Sequence, residues 1–447
     1  MTPTTTSLKA LSTAPFHPAS SPDYVPREHL RRLQSQRLRD TVRRAYDRVG
    51  WYRQRMDQRE LKPDRIRTVE DLALLPLTVK SDLRENYPFG LFAATMGQIV
   101  RLHASAGTTG KPIVVAYTRN DLDAWTEIMV RVLACCGIQP GDVIQNAFGY
   151  GLFAGGLGFH YGGEALGATV IPISGAHTDR QIAVMKDFGV SAICSTPSDF
   201  LHIIDRAEEM GVDLRKLALR VGVFGAEPWT EALRTRIEEA AGIKAYDIYG
   251  LSEMIGPGVA AECHVQQGLH LFEDHFYPEI IDPETRQPLP DGQEGELVLT
   301  TLGKEAMPLI RFRTRDITAI LPEPCPCGRT LRRIRRITHG GDEMFVYRGM
   351  NVFPSQIEAA LVAVEGTLPR YQIVLSRDKG VDQVELRVEV TPAVFSDRVS
   401  ALEGLEEKIA RQIENSVGIR AHVSLVEPHT IPRTEGRAKR VVDQRQL

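Results

Sequence analysis

Apolar positions along the chain change their spacing three times, and each change predicts a different kind of structure. From Glu28 to Tyr52, Leu30, Leu33 and Leu38 recur at helical intervals among many arginines. Between about Val143 and Gly250, short apolar runs alternate with helical stretches. Val170-Ile171-Pro172-Ile173, Ala192 to Ser195, Val221 to Phe224 and Ala245 to Tyr249 read as strands. Arg180 to Phe188, Ser198 to Met210 and Glu231 to Ala241 read as the helices between them. That rhythm predicts α/β layers around a parallel sheet. After Gly268, strands predominate at Glu279 to Ile281, Glu296 to Thr300 and Ile317 to Leu321, joined by turns such as Pro290-Asp291-Gly292. This second texture predicts a β-rich subdomain.

A third texture begins after Gly341. Pro354 suits the first turn of a helix carrying Ile357, Leu361 and Val364 on one face. Val384, Leu386, Val388 and Val390 alternate with Glu385, Arg387 and Glu389, the pattern of a half-buried strand. Leu402, Leu405, Ile409, Ile413 and Val417 mark an amphipathic helix, and His422 to Val426 a last strand. The expected organisation is α/β: an arm over residues 1–26, a large N-terminal domain over 27–340, and a small α+β C-terminal domain over 341–447. The first segment, rich in Thr, Ser and Pro, is expected to be mobile.

With 43% hydrophobic and 25% charged residues, composition is that of an ordinary globular protein, and the net charge of -3 gives nucleic-acid binding no support. No apolar run is long enough for a membrane span and no signal-peptide core is visible, so a cytoplasmic location is expected. Six cysteines in so long a chain are no disulfide framework; Cys135, Cys136 and Cys194 read as buried small hydrophobes.

Ser105-Ala106-Gly107-Thr108-Thr109-Gly110-Lys111-Pro112 follows the apolar stretch Ile99 to Leu102. Its glycines let backbone N–H groups turn toward an anion, and its hydroxyls and ammonium add donors for phosphate oxygens. Proline after Lys111 distinguishes it from the loop whose Lys is followed by a Mg²⁺-binding Ser or Thr.

This loop resembles the signature of the acyl-adenylate-forming superfamily, and the chain is most similar to its phenylacetate-CoA ligase branch. Further stretches carry the resemblance in family order: Phe148-Gly149-Tyr150-Gly151-Leu152-Phe153, Gly225-Ala226-Glu227-Pro228-Trp229, Tyr249-Gly250-Leu251-Ser252-Glu253, Glu273-Asp274-His275-Phe276, Arg311-Phe312-Arg313-Thr314-Arg315-Asp316 and Arg348-Gly349-Met350-Asn351-Val352-Phe353-Pro354. The resemblance implies two half-reactions. ATP and a carboxylate give acyl-AMP and pyrophosphate, and a thiol, usually of coenzyme A, then takes the acyl group. It also implies a C-terminal domain that swings on a hinge, here at Asp342.

For individual residues the resemblance implies ATP or AMP contacts from Ser105, Gly107, Thr108, Thr109, Gly110 and Lys111. Gly225, Ala226 and Glu227 are expected to line the adenine, helped by Asp247 and Tyr249, with Ser252 beside them. Glu253 is expected to anchor Mg²⁺, which takes a few carboxylate oxygens plus phosphates and waters. Asp316 is expected to accept the ribose hydroxyls. Without the resemblance, Gly225 to Pro228 reads as a strand-to-helix turn, Glu253 as a solvent-facing carboxylate, and Asp316 as a partner of the nearby arginines. Tyr150 and Phe153 with Gly149, Gly151, Gly155 and Gly156 suggest a flat slot for a ring, although each glycine alone reads equally as helix packing. No basic residue there pairs with a second charge, so the acid is expected to be a small, neutral or weakly polar aromatic one.

Cys325-Pro326-Cys327-Gly328 is a tight knuckle, and Cys263 and His270 lie some 55 residues or more upstream. Together they suggest a Cys₃His set for structural Zn²⁺, a cluster that the resemblance also supports, with His264 as the competing fourth ligand.

Two positions depart from the family. Gly340 stands where a ribose-contacting arginine is usual. Arg437, in Pro432-Arg433-Thr434-Glu435-Gly436-Arg437-Ala438-Lys439, stands where a lysine usually bridges carboxylate and α-phosphate. Arg437 with altered geometry, Lys439 reaching in instead, or a different natural reaction are the alternatives. The acceptor is coenzyme A, a carrier-protein thiol or an amine; the oligomeric state, a homodimer included, is left open.

Overall fold

The computed structural model describes residues 17–104, 112–152, 154–175, 177–337, 345–347, 350–352, 354–364, 367–378, 381–390, 399–427, 430–431 and 440–445. The arginine-rich N-terminal pattern forms two helices, α1 (Arg27–Arg48) and α2 (Gly50–Asp57), because Val49 between them is extended. Leu30, Leu38, Val42 and Ala45 are buried, whereas Leu33 stays exposed. Residues 18–24, assigned above to a mobile arm, instead form a docked 3-10 turn. The reason is electrostatic: Asp23 is fully buried and accepts hydrogen bonds from Arg131 and Arg329. Such a carboxylate is tolerable in the interior only when paired.

A short helix α3 (Lys80–Glu85) precedes the antiparallel hairpin β1 (Ile99–Ala104) and β2 (Val114–Thr118), whose strands flank the glycine-rich loop. Next come α4 (Arg119–Cys135), β3 (Val143–Asn146), α5 (Gly155–Leu166), β4 (Thr169–Ile171) and α6 (Thr178–Asp187). They are followed by β5 (Ala192–Ser195), α7 (Pro197–Glu209), β6 (Val221–Gly225), α8 (Glu231–Ala241) and β7 (Lys244–Leu251). The strands pair in parallel in the order β4-β3-β5-β6-β7, as the alternating rhythm predicts. Thr118 and Asp121 cap α4 reciprocally. Glycines in α5 let it press onto α4: a Cβ on Gly162 would lie 2.4 Å from the Cβ of Met129.

The remaining strands of this region are β8 (Gly256–Glu262), β9 (Leu269–Leu271), β10 (Phe276–Ile281), β11 (Gly295–Thr301), β12 (Phe312–Thr318), β13 (Ile320–Leu321) and β14 (Arg333–Ile334). The β-rich texture does not make one separate unit. β8, β9, β14 and β13 continue the parallel sheet from its β7 edge by antiparallel pairing, giving nine strands, and only β10-β11-β12 form a sheet of their own. Chain direction decides this, because a reversal straight after β7 leaves β8 beside it. The strand expected over Ile317 to Leu321 is split between β12 and β13.

The C-terminal residues form β15 (Phe345–Tyr347), β16 (Met350–Val352), α9 (Pro354–Val362), β17 (Thr367–Asp378), β18 (Val381–Val390), α10 (Val399–Val417), β19 (His422–Val426) and β20 (Val441–Asp443). Four of these strands make a sheet in the order β19-β18-β17-β20. Ile357, Leu361, Ile373, Leu386, Ile409 and Ile413 give this part its own hydrophobic core. Arg440 spans the two parts: its guanidinium lies 3.0 Å from Glu358 and 4.0 Å from Glu227.

Candidate active site

In open α/β sheets, ligands bind beyond the carboxyl ends of the parallel strands. The ends of β6 and β7 carry Gly225-Ala226-Glu227 and Tyr249 to Glu253. A Cβ on Gly225 would lie 2.5 Å from the carbonyl oxygen of Ile248, so glycine lets the two strands close up. Ala226 has a φ of 69°, in the left-handed region, a conformation that costs an alanine about 1 kcal/mol or more. Glu227 does not project freely. It is buried, accepts the Ser198 N–H at the start of α7 (2.8 Å), and faces Arg440.

Tyr249 donates its phenolic O–H to Asp316 at 2.6 Å. Burial first, then the Asp316 charge, pushes the Tyr249 phenol well above its ordinary value, so it stays protonated and is the donor. Two residues 67 positions apart are therefore one unit. Asp247 is buried 3.2 Å from Arg336, with Glu262 also near that guanidinium. Arg336 in turn lies over the Trp229 ring. Burial drives the Asp247 carboxyl well above its usual range.

Glu253 is buried at the turn after β7, with Lys80 of α3 at 4.0 Å, so it is not a solvent-facing carboxylate. Ser252 beside it is half-buried. Behind this turn stands Lys304, a buried lysine that the sequence reading missed.

At the end of β3, Asn146 donates its side-chain N–H to the Tyr150 hydroxyl (2.7 Å) and to the Gly156 carbonyl (2.7 Å). Tyr150 also meets His160 Nδ1 at 3.3 Å, and burial pushes its phenol up to about 12. Gly149 and Tyr150 are half-buried and Gly151 is exposed, whereas Gly155 and Gly156 are buried in the first turn of α5. Gly156 is a packing glycine: its N–H donates to the Gly149 carbonyl, and a Cβ there would lie 2.4 Å from that oxygen. The Leu152 carbonyl accepts the Ala104 N–H at 3.1 Å and meets His103 Nδ1 at 3.0 Å, tying the end of β1 to this loop. Asn146, His160 and His103 were not singled out from sequence, because polar residues at strand and helix positions carry no spacing signal.

The ligand atoms of Cys263, His270, Cys325 and Cys327 all lie within 4.8 Å of one another. Cys263 Sγ is 3.7 Å from Cys325 Sγ, and Cys327 Sγ is 3.4 Å from His270 Nε2. Four ligands at Zn–S of about 2.3 Å and Zn–N of about 2.0 Å in a tetrahedron imply edges of about 3.5–3.8 Å. His270 Nδ1 faces the Leu331 carbonyl at 3.2 Å, which suits Nε2 as the ligand atom. The competing His264 is not in the cluster. Cys135, read as a plain buried hydrophobe, packs against Cys263 and Cys325. Ser105 to Lys111, Phe153, Gly340, Asp342, Arg437 and Lys439 lie outside the described residues.

A family model described as AMP-binding enzyme matches residues 57–303, and one described as AMP-binding enzyme C-terminal domain matches 349–445. A phenylacetate-coenzyme A ligase from Thermus thermophilus is 48% identical over 435 residues, covering 94% of this chain and 98% of that protein. Among solved structures, 2-hydroxyisobutyryl-CoA ligase in its postadenylation state, with an acyl-AMP bound, superposes with a TM-score of 0.87 at 29% identity, covering 97% of this chain and 94% of the other. The same ligase in its thioesterification state, with CoA, gives 0.69 at 29% identity, covering 97% and 95%.

Proposed function

The chain is a member of the AMP-binding enzyme family, and from that premise we propose that it is an acid–CoA ligase acting on phenylacetate or a close aromatic relative. It activates the acid with ATP as an acyl-AMP, releasing pyrophosphate, and transfers the acyl group to coenzyme A. The observation that carries this reading is the 48% identity with a phenylacetate-coenzyme A ligase along nearly the whole of both chains.

The site residues fit positioning and charge stabilisation, the main demands of such chemistry. Asp316, oriented by Tyr249, would accept the ribose hydroxyls. Gly225 and Ala226 would present backbone to the adenine, with Glu227 bracing the loop from behind rather than touching the base. Asp247, paired with Arg336, would support the same strand. Ser105, Gly107, Thr108, Thr109, Gly110 and Lys111 would hold the phosphates. Glu253 and Ser252 stand where a carboxylate and a hydroxyl would serve Mg²⁺, which would neutralise phosphate charge. Gly149, Tyr150, Gly151 and Phe153 would line the ring, with the Asn146–Tyr150–His160 network keeping the Tyr150 hydroxyl occupied. Arg437, or Lys439, would meet the carboxylate and α-phosphate.

One solved relative matches this chain at 0.87 in one state and 0.69 in another at equal identity, which supports a C-terminal part (341–447) turning about Asp342. The Cys₃His set has the donor chemistry and spacing for a structural Zn²⁺ that would staple β9 to the 325–331 loop.

Pyrophosphate release with a panel of aryl acids, with and without coenzyme A, tests the reading. Phenylacetate-dependent pyrophosphate with a CoA thioester as product is expected. Acid-dependent pyrophosphate with no thioester would point to a carrier-protein thiol or an amine as acceptor. Nucleotide binding with no turnover on any acid would overturn the proposal.

A further inference from the structure

The turn that carries Glu253 is held from outside itself. Within it, the N–H groups of Met254 and Ile255 both donate to the Leu251 carbonyl, at 3.1 and 3.2 Å. The carbonyls of Glu253, Met254 and Ile255 each receive a side-chain donor. Lys304 Nζ donates to the Glu253 carbonyl at 3.0 Å and to the Met254 carbonyl at 2.5 Å. Tyr117 donates its O–H to the Ile255 carbonyl at 3.0 Å. The Lys304 ammonium also lies 5.2 Å from the Tyr117 ring, so its remaining face meets an aromatic π-surface.

Neither donor is free to wander. Lys304 is only 7% exposed and Tyr117 is fully buried, stacked on Trp125. The backbone that presents Lys304 is itself pinned: Asp121, at the start of α4, accepts the N–H groups of Glu305 (2.6 Å) and Ala306 (2.9 Å). Thr118 donates to the Glu305 carboxylate at 3.0 Å. A rigid route thus runs from the cap of α4, through the loop after β11, to the backbone of the turn.

A lysine buried for stability alone is a poor bargain, because desolvating an ammonium is costly and carbonyl acceptors repay it only in part. The location gives it a use. We propose that Lys304 is a positioning residue for the adenylation step: by fixing the Glu253 and Met254 carbonyls it sets where the Glu253 carboxylate meets Mg²⁺·ATP, with Tyr117 completing the cradle. This rests on Glu253 being the Mg²⁺ anchor. Lys304 touches neither substrate nor metal; it acts through the turn.

The test measures pyrophosphate release with ATP and phenylacetate while Mg²⁺ is titrated, in the full-length enzyme, for Lys304→Met, Glu253→Gln and the double variant. Glu253→Gln is expected to raise the Mg²⁺ concentration for half-maximal rate at least tenfold. Lys304→Met removes both hydrogen bonds to the turn; it should raise that concentration at least about tenfold, the size of one charge-assisted hydrogen bond, and should add little in the Glu253→Gln background. KM for phenylacetate should stay near the wild-type value. A Lys304→Met effect that is absent, or that multiplies fully with Glu253→Gln, overturns the positioning role while the Mg²⁺ reading survives. An unchanged Mg²⁺ requirement in Glu253→Gln overturns both. Should Lys304→Met fail to fold, as judged by circular dichroism, Tyr117→Phe decides. It removes only the Ile255 donor and should raise the Mg²⁺ requirement about threefold in a folded protein, again without adding to Glu253→Gln. No change in that variant also refutes the cradle.

Discussion

Replacing Tyr249 by Phe removes one oxygen and one hydrogen bond while leaving the ring in place. The bond lost is the 2.6 Å O–H contact to Asp316, a distance at the short, charge-assisted end of the range. Hydrogen bonds to a charged group contribute about 1.5–3 kcal/mol. Asp316 is half-buried, so water replaces part of the contact and the lower end applies. About 1.4 kcal/mol is a factor of ten, so the dissociation constant for AMP is expected to rise about tenfold in Tyr249→Phe. Isothermal titration calorimetry with AMP reads this directly, and Asp316→Asn provides the comparison. The melting temperature should fall by only a few degrees, the size of one lost hydrogen bond in a chain of this length. If Tyr249→Phe binds AMP like the wild type while Asp316→Asn loses binding, Tyr249 does not orient the carboxylate and the reasoning fails.

Purified protein should carry one zinc per chain by elemental analysis, and Cys327→Ser should lower both zinc content and melting temperature; metal-free protein of unchanged stability would dismiss the site. Burial pushes His275 down to about 4 against the pull of Asp274, so the folded state holds it neutral while the unfolded chain protonates near 6.5. Its folded value is depressed and the unfolded state binds more protons between those limits, so this contribution to stability is present above about pH 6.5 and lost as pH falls toward 4. Denaturant unfolding from pH 7 to 4.5 should show a decline of up to about 3 kcal/mol that His275→Asn flattens; parallel curves would refute it. Gly156→Ala drives a Cβ to within 2.4 Å of the Gly149 oxygen, so it should cost about 1–3 kcal/mol and raise KM for the acid, checked by chemical unfolding and steady-state kinetics. Arg437→Lys should keep or raise the rate of acid-dependent pyrophosphate release; total loss would mean that Arg437 is not a working substitute for lysine.

Periodicity and motif order carried much of this protein. Alternating strand and helix patterns from Val143 to Gly250 are local properties of side-chain spacing, and they gave β5, α8 and β7 within a few residues. The glycine-rich loop, the Tyr249–Glu253 run and the cysteine knuckle are also contiguous, so each can be picked out from adjacent letters. What needed three dimensions was most of the partnerships across the chain. Nothing in the letters pairs Tyr249 with Asp316 or sets Lys304 under the Glu253 turn, whereas the set Cys263, His270, Cys325 and Cys327 was legible in the letters and is the one the structure brings together, without the competing His264. Nothing shows that Asp23 in a Ser- and Pro-rich stretch is sealed by Arg131 and Arg329. The physical reason is the same each time. Secondary structure follows from the spacing of neighbours, whereas a buried charge or hydrogen-bonding group takes its partner from whichever element the packed sheet places against it.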